Sequence, residues 1–62
     1  MRSGTMSVYR LETACDDKGG WRSFILDSSA GDKVVWGSLR FTHERSAINS
    51  GEQVLRQMRE RE

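Results

Sequence analysis

Two short turn signals constrain this chain more than any other feature. Asp16-Asp17-Lys18-Gly19-Gly20 and Ser28-Ser29-Ala30-Gly31-Asp32 both combine glycine with Asp or Ser. These residues reach φ > 0 at little cost or mimic a turn with their own side chains. With no proline in the chain, the two signals divide it into three pieces of strand length and a tail. Short glycine-containing loops between strands favour antiparallel hairpins.

Each piece alternates with period two and is enriched in aromatic and β-branched residues, which predicts strands. From Ser7 to Cys15, Tyr9, Leu11, Thr13 and Cys15 share one face. From Trp21 to Ser28, Phe24 and Leu26 share one face, and Trp21, Ser23, Ile25 and Asp27 the other. From Lys33 to Thr42, Val35, Gly37, Leu39 and Phe41 oppose Val34, Trp36, Ser38 and Arg40. The tail, from about Glu44 to Arg61, changes period. Ala47, Ile48, Gly51, Val54, Leu55 and Met58 form one helical stripe. Thr42 or Ser46 is placed to cap it, and Glu44 sits in the favourable first turn. Gly51 either marks a close approach to the sheet or breaks the helix at Ser50-Gly51. The expected fold is α+β, a three-stranded antiparallel sheet followed by one C-terminal helix. One domain spans 7–62, after a flexible tail at 1–6. Its expected core sets Tyr9, Leu11, Phe24, Leu26, Val35, Leu39 and Phe41 against Ile48, Val54, Leu55 and Met58.

Size then limits what such a unit can be. At 62 residues and 35% apolar composition, its core supplies only about 3–5 kcal/mol, so domains of this size usually need a staple. The single cysteine, Cys15, excludes an intrachain disulfide, and one histidine, His43, with no Cys or His near it argues against a structural zinc site. Association with a second copy remains as the staple. No cofactor or metal is expected. A lone cysteine, and no apolar run approaching the ~20 residues of a membrane span, point to a soluble, cytoplasmic protein.

The predicted faces leave Val8, Trp21, Ile25, Val34 and Trp36 pointing away from the helix, among Arg10, Glu12, Ser23, Ser38 and Arg40. A sheet face without cover should read as polar, and a contiguous apolar patch marks a binding surface. The candidate site is therefore Trp21, Trp36, Arg10, Arg40, Ile25, Val34 and Val8. A homodimer with a protein partner is the expectation, and a small phage-encoded inhibitor has this size and neutrality. Nucleic acid is the alternative: aromatics on an open sheet can stack bases while Arg10, Arg22, Lys33 and Arg40 hold phosphates. Against it stands a net charge of only +1, where phosphate binders carry a basic excess. Catalysis is not expected. His43 beside Glu44 reads as a junction residue, Cys15 beside Asp16 and Asp17 lacks the positive surroundings that activate a thiol, and no nucleophile motif or phosphate loop occurs.

The stretch from Lys18 to Val54 resembles the YegP-like family of small domains. The resemblance rests on Gly20-Trp21, Phe24 and Leu26, Gly31 with Val34 or Val35, Ser38 with Phe41, and Ser46-Ala47. It implies a β-β-β-α unit that occurs in tandem or as single copies that dimerise, and it supplies no catalytic residues. Trp21, Ile25, Asp27, Trp36 and Gly37 are also similar to the ethylene-response type of DNA-binding domain, whose sheet reads DNA with Arg and Trp. This chain lacks that module's dense arginines.

Overall fold

The computed structural model describes residues 8–61. The expected tail at 1–6 and the first residue of the predicted first strand lie outside them. The chain forms strands β1 (Tyr9–Cys15), β2 (Trp21–Asp27) and β3 (Lys33–Gly37), then helix α1 (Glu44–Glu60). The sheet is antiparallel in the order β1-β2-β3, and α1 lies across β1 and β2. This is the α+β architecture that the periodicities predict.

The first turn sets the register of the sheet. The Asp16 N–H donates to the Gly20 carbonyl at 2.8 Å and the Gly19 N–H to the Asp16 carbonyl at 3.2 Å, with Gly19 at φ 83°. Asp16 Oδ1 accepts from the Lys18 and Gly20 N–H groups at 2.9 and 2.8 Å. This is a three-residue hairpin loop with glycine in the left-handed position. It opposes Cys15 to Trp21, and counting back opposes Thr13 to Ser23 and Leu11 to Ile25. The second turn is a single 3-10 turn, Ser28–Ala30, capped by the Asp27 side chain and closed by Gly31 at φ 75°. Asp32 follows at φ 62°, a conformation Asp tolerates better than most residues.

That register corrects the predicted faces of β2. Residues opposed in a ladder share a face, so Trp21, Ser23 and Ile25 lie with Tyr9, Leu11 and Thr13 on the side of the helix. Ile25 and Ser23 are 0% exposed. Phe24 and Leu26, expected in the core, oppose Glu12 and Arg10 on the side without a helix. Alternation could not choose between the two faces of β2, because both carry large apolar residues. The loop length chose, since a slip of one residue inverts a strand.

β3 departs from expectation in two ways. A bulge places Leu26 opposite Val34 but Ile25 opposite Trp36, so Val35 is the extra residue. The strand also stops at Gly37. Ser38 then takes over part of the ladder, its N–H donating to the Ser23 carbonyl and its Oγ accepting from the Ser23 N–H, both at 2.9 Å. Leu39 loops out and is 81% exposed, and Val35 is 41% exposed; neither belongs to the core. Phe41 returns to pair with Trp21 through two backbone hydrogen bonds of 2.7 Å. The bulge and the loop-out absorb the residues that a ten-residue strand would have placed in register.

The helix is continuous through Gly51. A Cβ at Gly51 would lie 2.5 Å from Leu11 Cδ1 and 2.9 Å from Ser23 Oγ, so glycine there serves the close approach of helix to sheet. Ala47 and Gly51 are the buried helical residues. Ile48, Val54, Leu55 and Met58 are partly buried around them. His43, not Thr42 or Ser46, occupies the N-cap, and its side chain makes no capping bond. The start of α1 is tied to the sheet instead by Thr13 Oγ1, which donates to Glu44 Oε2 at 3.3 Å. Among the described residues, no helix is long and apolar enough to cross a membrane.

Candidate interaction surface

The side of the sheet without a helix is built in cross-strand rows. Arg10, Leu26 and Val34 form one row, Glu12, Phe24 and Gly37 the next, and Ala14 with Arg22 the third. Val8 extends the same side by alternation, its carbonyl accepting from the Ser28 N–H at 2.8 Å. The Phe24 ring lies over Gly37, 3.3 Å from where a Cβ would stand, so glycine on the edge strand gives the ring a flat seat. Val8 and Val34 are 59% and 54% exposed. Charged side chains rim this apolar strip. Arg10 Nη2 lies 3.0 Å from Glu12 Oε2 and 3.6 Å from Asp32 Oδ1, with all three side chains about half exposed. Pairs of this kind contribute about 0–1 kcal/mol and chiefly hold one another's geometry.

The seven residues expected to form one site are therefore divided. Val8, Arg10 and Val34 come together on the open side. Trp21 and Trp36 are partly buried on the helix side, and Ile25 is sealed beneath α1. The face on which these residues were expected to meet does not exist as one surface.

Arg40 stands apart at the end of the first hairpin. Its Nε donates to Asp16 Oδ2 at 2.6 Å, and its guanidinium covers Gly20 so closely that any Cβ there would collide with it. The hydrogen bond from Arg40 is the main cause holding the Asp16 carboxyl well below the usual carboxylate range, followed by the Gly20 and Lys18 N–H groups. The same bond with Asp16 raises the Arg40 guanidinium. Arg40 is thus a clamp between the first turn and the segment leading to α1.

Cys15 is exposed and donates its thiol to the Asp16 carbonyl at 3.3 Å. His43 is likewise exposed. Among the described residues, no three His, Cys, Asp or Glu side chains are grouped as a metal site.

Phe24 and Leu26, both partly buried, and the exposed Arg22 are the residues of this side that alternation misplaced or left without a face. The sequence did carry the signal that finds them, in the length of the Asp17-Lys18-Gly19 loop. Comparison with known protein families, with curated proteins and with solved structures finds no match to this chain.

Proposed function

We propose that this chain is a non-catalytic interaction module that works as a homodimer and acts as an adaptor or inhibitor of a protein partner. One observation carries the reading. Ile25 and Ala47 are the only apolar residues fully buried among those described, while Val8, Val34, Val35 and Leu39 are exposed, and Phe24 and Leu26, each partly buried, face the side that no helix among the described residues covers. A chain this small gains little from its own core, and apolar surface left outside favours association. Phe24, Leu26 and Val34, rimmed by Arg10, Glu12 and Arg22, form the surface assigned to the partner.

A protein fits this surface better than a nucleic acid does. Two of the four basic residues considered for phosphates are already engaged, Arg40 by Asp16 and Arg10 by Glu12 and Asp32. The Trp pair considered for stacking lies on the helix side.

Sedimentation equilibrium of the wild type tests the homodimer, and a monomer at every concentration refutes it. Capture from cell lysate on immobilised wild type, beside the Val34→Lys and Leu26→Lys variants, tests the partner surface. The expected result is a protein held by the wild type and lost from both variants. Equal capture by all three, or a captured nucleic acid whose affinity falls steeply with salt, overturns the reading.

A further inference from the structure

The outer flank of α1 carries a pattern that the fold uses only in part, through the Thr13 bond to Glu44 and the partial burial of Ile48 and Leu55. Ala47 and Gly51 face the sheet. Beside them Glu44, Ile48, Leu55 and Arg59 fall within about 60° of one another around the helix, at 100° per residue. Glu44 and Arg59 are exposed, and Ile48 and Leu55 only partly buried. Two shallow depressions meet at Glu52 on this flank. One is lined by Glu44, Arg45, Ile48, Asn49 and Glu52, the other by Glu52, Leu55, Arg56, Arg59 and Glu60. Each holds one aliphatic side chain. Arg59 makes no ion pair among the described residues.

The spacing of the four residues reads the same in both directions: acid, four on to an aliphatic, seven on to an aliphatic, four on to a base. We propose that this flank is the homodimer contact, with α1 pairing antiparallel to α1 of a second copy about a twofold axis beside Gly51 and Glu52. The proposal rests on the homodimer reading above and adds where the copies meet.

The register that sets Ile48 against Leu55 of the second copy also sets Glu44 against Arg59, and the twofold repeats both contacts. Two aliphatic contacts at the centre and an ion pair at each end is the arrangement that fixes partner and orientation in paired helices. Arg45, Glu52, Arg56 and Glu60 lie further round the helix, toward solvent. The contact is on the flank toward β1, where Glu44 meets Thr13. It leaves Phe24, Leu26 and Val34 free on the opposite side of the sheet. A single pair of helices buries less than the ~1,600 Å² of a standard interface, so the dimer is concentration-dependent.

Charge reversal with mixing tests this directly. Glu44 and Arg59 are fifteen positions apart, about 22 Å along the helix, too far to pair within one chain. Glu44→Lys and Arg59→Glu, each alone, set like charges against each other at both ends and weaken the dimer by about tenfold or more. An equimolar mixture of the two variants restores it, because Lys and Glu then meet at one end and the native pair at the other. Sedimentation velocity is read over concentrations reaching about 1 mM, with circular dichroism confirming that each variant is folded. Ile48→Asp, which removes the apolar centre, is the second variant.

A wild-type dimer that neither reversal nor Ile48→Asp weakens overturns this contact and leaves the homodimer reading standing. Reversal variants that weaken but stay monomeric when mixed also overturn it. A wild type that is monomeric throughout removes both.

Discussion

The two sides of this sheet are alike in composition and opposite in use. On β2, Trp21, Ser23 and Ile25 face the helix, while Arg22, Phe24 and Leu26 face away. A count of apolar atoms does not tell the two sets apart. What separates them is a small residue at the right place. Ser23 lies beneath Gly51, and together they let α1 approach closely enough to seal Ile25 completely. The large Phe24 in that position would hold the helix off. The side that is small at its centre became the core, and the side that is large at its centre was left outside.

Substitutions that disturb the small centre separate the two sides most strongly. Gly51→Val adds a branched side chain where even a Cβ lies 2.5 Å from Leu11 Cδ1. Overpacking of this kind costs about 1–3 kcal/mol, so urea denaturation should show a large loss. Ser23→Ala acts in the other direction. The Ser23 Oγ is buried with no hydrogen-bond partner among the described residues, and removing an unsatisfied hydroxyl relieves a desolvation cost. Stability should hold or rise by up to about 1 kcal/mol, and a loss of stability would mean the hydroxyl has a partner.

The turn that fixes the register gives a shallower effect. The Asp16 carboxyl is held below its ordinary value in the folded chain. Its contribution is therefore present above the unfolded value of about 4 and is lost as pH falls below it. Asp16→Asn should flatten that part of the acid limb, and an unchanged limb would show that the Arg40 clamp does not form in solution. The smallest effect is expected at Leu39, which is 81% exposed. Leu39→Ser should stay within about 0.5 kcal/mol of the wild type, although alternation alone would place it in the core.

These contrasts show how much of the molecule the sequence disclosed. Three strands, the helix and both turns were legible, because each has a local cause in periodicity or in a glycine, whereas Gly51 fitted a close approach and a broken helix equally well until the sheet beneath it was in place. The phase of β2 was not legible from alternation, since its two faces are equally apolar. It was written instead in the length of the first loop and in the size of Ser23. The end of β3 was hidden for another reason. A bulge and a looped-out leucine follow no period, and Ser38 replaces a backbone partner with its side chain. The candidate site inherited the wrong phase. Val8, Arg10 and Val34 kept their side of the sheet, while Trp21, Ile25 and Trp36 passed to the side of the helix.

The inverted phase is tested most directly by denaturing two neighbouring variants, Ile25→Asn and Leu26→Asn, in parallel with urea. If Ile25 is sealed beneath the helix and Leu26 lies on the open side, Ile25→Asn unfolds the domain or lowers its midpoint drastically, while Leu26→Asn remains folded with a modest shift. The reverse order, with Leu26→Asn the more damaging, would contradict this assignment of the two sides and the interaction surface built on it.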